Sequence, residues 1–256
     1  MFLSPASRSL ILMFEGISTH PNWPGGGSGV TLGVGCDIGT DPDSLDAWTH
    51  RLDPAAMARL EAARGVTGTQ AGVAARSLSD ILITVDTATA VFDSYSTPRA
   101  IADTLRAFPG ADRLPADSFG ALVSLVYNRG AAVQGPSRAE MLNIRILVAS
   151  DHNYWGGIPI EIADMTRLWG APSASNLSGR RLREAALVAS GLRGKGTTLL
   201  FGDTGDAIAS LQRALQLSAD GAFGSQTMLE VWKWQHSQGL PSTGIADVGT
   251  LKSLGL

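Results

Sequence analysis

The sequence predicts an α+β fold that is mostly helical, with one small β-hairpin near its start and a small three-helix domain at its end. Three observations carry this. Apolar residues recur at helical spacing in segment after segment, as Phe119, Leu122, Val123, Val126 and Tyr127 do. Alternation in period two is confined to one stretch, Val30, Leu32, Val34, Cys36 and Ile38. Finally, residues 191–198 are rich in glycine and lack apolar periodicity, which reads as a linker. The chain therefore divides into residues 1–192, a linker over 193–199 and a C-terminal domain over 200–256.

The 256 residues are 44% hydrophobic and 17% charged with a net charge of −3, which suits one or two soluble globular domains with a sizeable core. The weak acidity and the lack of a Lys/Arg run argue against a nucleic-acid partner. Cys36 is the single cysteine, so no intramolecular disulfide forms and the redox compartment stays open. The longest apolar run near the start, Leu10–Phe14, is too short for a membrane span or a secretory signal. The expectation is a monomer made in the cytoplasm, with no membrane insertion and no cofactor, since neither a metal-ligand cluster nor a phosphate loop is apparent.

In the first element Ser4 suits an N-cap, Pro5 the first helical position, and Leu10, Ile11 and Phe14 fall on one face. Gly16 is the left-handed residue that ends such a helix. Glu15 is then placed at the negative end of the helix dipole beside Phe14, a position suited to a carboxyl group that donates a proton. The alternating stretch follows a Gly/Pro-rich loop. As one straight strand it would turn Thr31, Gly33, Gly35 and Asp37 to a second face nearly bare of side chains, against which a flat substrate could lie. The other reading is a glycine hairpin preceded by a surface Glu.

Further on, Asp43–Trp48 reads as a short turn, and Asp53-Pro54 starts a helix through Met57 and Leu60 that Gly65 stops. A weaker helix covers Gln70–Arg76. Asp86 can cap a segment through Val91 and Leu105 that Pro98 kinks or divides. Asp117–Arg129 is the best-formed core helix, ended by Gly130. Ser137 caps another with Met141 and Ile144, Pro159–Trp169 is a further one, and Leu177–Ser190 is the last before the linker.

Two groups of residues resemble known families. Glu15-Gly16, a connecting loop and Val30-Thr31-Leu32-Gly33-Val34-Gly35 resemble the signature of phage-type lysozymes, where a Glu ends the first helix and a Thr lies in a glycine-rich hairpin strand. The Trp23-Pro24-Gly25-Gly26 and Cys36-Asp37-Ile38-Gly39 flanks resemble the pesticin-like branch of that superfamily. The chain departs from the pattern in one respect: the family commonly has an Asp midway between Glu and Thr, and nothing between Gly16 and Cys36 is acidic. Ser124–Gly130 resembles the cleft-lining helix end of these enzymes, which implies a substrate contact for Asn128; a polar helix cap is the other reading. Gly179–Glu184 resembles their late Arg-rich helix, which implies that Arg180 or Arg181 pairs with the catalytic Glu; a solvated face is the alternative.

Beyond the linker, Gly221–Thr227 recurs weakly as Gly244–Thr250. Asp203, Gly205, Leu211, Gln212, Asp220, Gly221, Phe223, Gly224 and Thr227 resemble the pattern of the three-helix peptidoglycan-binding module. Trp232 and Trp234 are either ligand contacts there or core.

The lysozyme resemblance implies cleavage of a glycosidic bond, which needs an acid and a second group that activates water or stabilises the transition state. Glu15 is the acid and Thr31 the residue that positions water. Asp37 is the nearest second carboxylate in sequence, yet a straight strand would hold it about 20 Å from Thr31. A turn at Gly33–Gly35 would bring it back at the expense of the one-face alternation. Asp37 then reads either as a base or as a hairpin cap or salt-bridge partner. His20 is an alternative base from the loop, and a single-acid mechanism like that of lytic transglycosylases needs neither. The resemblances together imply an endolysin-like muramidase that hydrolyses the β-1,4 MurNAc–GlcNAc bonds of bacterial peptidoglycan, anchored by its C-terminal module and delivered to the wall by other means such as a holin. A non-catalytic wall-binding phage protein and a delivered antibacterial muramidase toxin are the other classes.

Overall fold

The computed structural model describes residues 2–150, 155–171, 173, 176–193 and 198–256. Most of the predicted linker, residues 194–197, falls outside the described residues. The fold is mostly helical with one small antiparallel sheet. Two compact units are present, one of residues 11–101 and the other of residues 1–10 with 102–256.

Helix α1 runs Pro5–Glu15. The Ser4 hydroxyl accepts the Ser7 amide at 3.2 Å, as an N-cap should, and Gly16 ends the helix with a φ of 70°. The chain then forms strand β1, Ser18–Asn22, where the sequence had only a Gly/Pro loop to offer. Its Ser-Thr-His-Pro-Asn composition carries no apolar alternation, and Pro21 is tolerated because β1 is an edge strand.

Strands β2, Thr31–Gly33, and β3, Cys36–Asp37, pair antiparallel, with Leu32 opposite Cys36 and Thr31 opposite Asp37. The straight-strand expectation is therefore corrected. Gly33 and Gly35 take φ values of 54° and 67°, which other residues disfavour, and the chain reverses between them. The bare glycine face is corrected as well. Gly33 is buried, and a Cβ there would lie 2.8 Å from the Trp48 ring. The alternating apolar residues are nonetheless all buried, and four of the five join one core: Val30, Leu32, Cys36 and Ile38 pack with Leu45, Trp48, Leu60, Ile83 and Val91. β1 pairs with β2 through an irregular register that sets Asn22 opposite Thr31.

A 3₁₀ turn over Pro42–Trp48 leads to α2, Pro54–Glu61, capped by Asp53, and then α3, Gly68–Ser77. α4, Val85–Val91, is capped by Thr84, which accepts the Thr87 amide at 3.1 Å; the predicted cap Asp86 lies in the first turn instead. Five residues of π-helix, Phe92–Ser96, join α4 to α5, Thr97–Ala107. Pro98 has no N–H to give the preceding turn, and the wider winding just before it divides the segment without breaking it.

In the other unit, α6, Ala116–Arg129, packs along α9, Leu177–Leu192. Between them come α7, Ala139–Ala149, and α8, Ile158–Asp164, continued by a 3₁₀ turn to Leu168. The predicted Ser137 cap is not made. Ser137 takes a φ of 59°, and Arg138 holds the cap position without a side-chain bond. Close approach explains Gly120 on α6, where a Cβ would sit 2.2 Å from the Ser7 hydroxyl of α1.

The C-terminal helices are α10, Asp206–Ala214, α11, Ser225–Ser237, and α12, Val248–Ser253, around Ile208, Leu211, Phe223, Val231, Ala246 and Leu251. They pack within the same unit as α6–α9. A Cβ on Gly156 would lie 2.3 Å from the Thr243 carbonyl oxygen, and Arg193 pairs with Asp203.

Candidate functional site

The unit of residues 11–101 holds Glu15, His20, Thr31 and Asp37. Glu15 is the last residue of α1 and is half-buried. Thr31, at the start of β2, is 8% exposed, and its hydroxyl has no hydrogen-bond partner among the described residues. Buried hydroxyls are nearly always bonded, and the Ser44 and Thr97 hydroxyls share this condition with Thr31; what sets Thr31 apart is its place on the sheet. Residues opposite one another in an antiparallel sheet share a face, which sets Asn22 and Asp37 on either side of Thr31. Asn22 had escaped notice in the sequence because β1 carries no strand signal.

Asp37 is fully engaged with backbone. Its Oδ1 accepts the amides of Gly29, Gly39 and Thr40 at 3.0, 2.9 and 3.0 Å, and its Oδ2 shares the Gly29 amide at 3.0 Å. Gly29 and Gly39 permit this clasp, since a Cβ on Gly29 would lie 2.4 Å from both the carboxylate and the Gly39 Cα. The turn thus brings Asp37 beside Thr31, as a catalytic reading requires, and also spends its oxygens on the loop. His20 is exposed on β1, with Nδ1 3.1 Å from the Thr19 hydroxyl.

The other unit holds Asn128, Arg180 and Arg181. Neither arginine lies on a solvated face: they are 2% and 0% exposed. Glu184, one turn along α9 and fully buried, takes Arg180 Nε at 3.0 Å on one oxygen and Arg181 Nε at 3.1 Å on the other. The Ser124 hydroxyl of α6 donates to Glu184 at 2.6 Å, and Arg180 donates to the Ser124 carbonyl oxygen at 3.0 Å. Arg181 donates to Asn128 Oδ1 at 3.0 Å and lies over the Trp169 ring. Asn128 is exposed and oriented by a buried cation rather than by a helix cap. Glu184 stands one helical turn from both arginines in its motif, a spacing that could have marked the pairing, whereas nothing local marks Ser124 as its partner.

In the C-terminal module a buried glutamine closes each of two loops. Gln212 of α10 donates to Asp220, the Ala222 carbonyl and Thr227, and accepts the Gly221 amide at 2.9 Å. Gln235 of α11 does the same for Thr243, the Ile245 carbonyl and Thr250, and accepts the Gly244 amide at 2.9 Å. The weak sequence repeat is therefore a structural duplication, held by equivalent polar residues, with Ile208 and Val231 at equivalent places in the core. Trp232 is half-buried and stacks on His236, with ring centroids 5.3 Å apart. Trp234 donates to the Ser253 hydroxyl at 2.9 Å and lines a groove of about 340 Å³ with Leu215, Gln216, Glu230, Lys233 and Ser237.

Residues 204–254 match the model of the peptidoglycan binding domain family. The match covers the three helices α10–α12 and makes peptidoglycan the ligand class of this module. No curated protein matches the chain.

Proposed function

We propose that this chain is a muramidase that hydrolyses the β-1,4 MurNAc–GlcNAc bonds of bacterial peptidoglycan while its C-terminal module holds it on the wall. The observation that carries this reading is the buried, unpartnered hydroxyl of Thr31 on the strand next to Asn22, in the same unit as Glu15. Glu15 protonates the glycosidic oxygen as the bond to the anomeric carbon breaks. A water held by Thr31 Oγ1 then adds to that carbon and releases its proton to solvent, from which Glu15 recovers its own. The Thr hydroxyl can accept one hydrogen from that water and give its own to another oxygen. Tethering multiplies the benefit of weak wall binding, because the enzyme meets its substrate at high local concentration.

One observation favours a second reading. Asp37 accepts three backbone amides and serves as the clasp of its loop, which leaves Glu15 as the single catalytic carboxylate. A lytic transglycosylase needs only one, since the substrate's own hydroxyl attacks. Glu15→Gln tests both readings at once: it keeps the shape and removes the proton. Lysis of purified sacculi should fall by about 10²- to 10⁴-fold. A folded variant that clears sacculi at the normal rate would remove Glu15 from the mechanism.

A further inference from the structure

A groove of about 270 Å³ lies beside the β-sheet, lined by Pro21, Asn22, Trp23, Ala75, Arg76 and Ser79. The proposed muramidase chemistry makes no use of it. Its aromatic wall is built with care. The Trp23 indole N–H donates to the Ser28 carbonyl oxygen at 3.0 Å, which fixes the ring, and the half-buried ring packs against the core of the unit. Gly72 on α3 lets it settle there: a Cβ would sit 2.6 Å from the ring edge. The Asn22 amide donates to the Ser18 hydroxyl at 2.7 Å, which orients the rim.

Arg76 supplies the charge. It is exposed, in the last turn of α3, and makes no ion pair among the described residues. The end of α3 does not need it, because Arg59 already donates to the Ser77 carbonyl oxygen at 2.6 Å and pairs with Asp80 at 2.7 Å. The groove thus presents a fixed aromatic face and an unclaimed guanidinium, a combination that suits an aliphatic chain ending in a carboxylate.

Resting on the muramidase reading, we infer that this groove receives the acidic stem peptide that hangs from the muramoyl sugar. The glycan strand itself carries no charge once its lactyl group is amidated, so a free guanidinium next to it has only the peptide's carboxylates to read. The position fits as well. Asn22 on the groove rim is the register partner of Thr31 one strand away, about 5 Å across the ladder. The peptide would then be held one strand from the bond being cut, and the enzyme would prefer peptide-bearing glycan to stripped glycan.

The test uses the full chain with Arg76→Gln, an exposed substitution that leaves the core untouched. Initial rates of reducing-end release are measured on soluble peptide-bearing glycan and on the same glycan stripped of stems by an amidase. Binding of the free tetrapeptide L-Ala-γ-D-Glu-diaminopimelyl-D-Ala is measured by calorimetry. The wild type should favour the peptide-bearing strand, and Arg76→Gln should lose about tenfold there, through KM, with its rate on stripped glycan unchanged. Tetrapeptide binding should weaken by a similar factor. Equal losses on both substrates, or tetrapeptide binding that ignores the substitution, would overturn the assignment. If neither glycan is cut, the muramidase reading fails by itself, and the calorimetry still decides whether the groove binds the peptide.

Discussion

Thr31→Val is the perturbation for which a catalytic and a structural role predict opposite signs. The two side chains are nearly the same shape, and valine is at least as good in a strand. What changes is one hydroxyl, on a residue 8% exposed, with no partner among the described residues. Burying a hydroxyl without a hydrogen bond costs roughly 1–3 kcal/mol in protein mutational data, and a water that reaches it offsets part of this. Replacing it by a methyl group should therefore stabilise the protein by about 0–2 kcal/mol, a rise of up to several degrees in Tm at about 2–4 °C per kcal/mol. Activity should move the other way. Losing the group that positions the water should lower kcat on soluble glycan by about 10- to 100-fold, with KM little changed. Calorimetric melting and initial rates on one preparation settle it. A variant that melts lower and keeps its activity would make Thr31 a structural residue and refute the reasoning.

Asp37→Asn should behave as the loss of a loop clasp: an amide nitrogen would replace one acceptor, and the variant should lose about 1–3 kcal/mol of stability while the folded fraction stays within a few-fold of normal rate. Denaturant melts and active-site-normalised rates read both, and an unaltered melt with a 10³-fold rate loss would make Asp37 a base. Glu184→Gln leaves two buried guanidinium groups short of their shared carboxylate and should cost about 3–5 kcal/mol, visible in a urea titration; a shift below about 1 kcal/mol would mean that the network contributes little. Burial pushes the Cys36 thiol above its ordinary pKa and Trp48 covers its sulfur at 3.2 Å, so Ellman's reagent should label it only as the protein unfolds. In acid, the Arg59 guanidinium lowers the Asp80 carboxyl to about 2, so the support this pair gives is present above pH 4 and is lost as the pH falls toward 2; Asp80→Asn should flatten that part of the stability–pH curve.

Helices with long apolar stripes and sound punctuation were legible in the sequence. Ser4, Pro5 and Gly16 delimit α1, Asp53 and Gly65 bracket α2 and its turn, and Gly130 ends α6, because caps and left-handed glycines act locally. The hairpin was legible only as alternatives. Period two says which residues are apolar, and all of them are buried, but it cannot say whether Gly33 and Gly35 extend the strand or reverse it. β1 left no trace, since an edge strand of Ser, Thr, His, Pro and Asn is held by backbone bonds, to β2 and from the Ile83 amide to the Thr19 carbonyl oxygen, and not by an apolar pattern. The candidate site residues follow the same division. Glu15 and Thr31 are marked by the elements they end and begin, and Glu184 stands at helical spacing from Arg180 and Arg181, whereas the burial of all three and their bonds to Ser124 depend on α9 lying against α6, which no local pattern encodes. In the module, the spacing from Gln212 to Thr227 repeats from Gln235 to Thr250, so the second glutamine could have been found by extending the repeat upstream.

The most direct test of the central claim is mass spectrometry of the soluble products released from purified sacculi by the full chain, with Glu15→Gln alongside. Hydrolysis by a water at Thr31 predicts muropeptides ending in reducing N-acetylmuramic acid, each one water heavier than its anhydro form, and almost none from the Glu15 variant. Products dominated by 1,6-anhydro ends would replace hydrolysis by attack of the substrate's own hydroxyl. Sacculi that bind the protein through α10–α12 and release no glycan fragments would contradict the muramidase account.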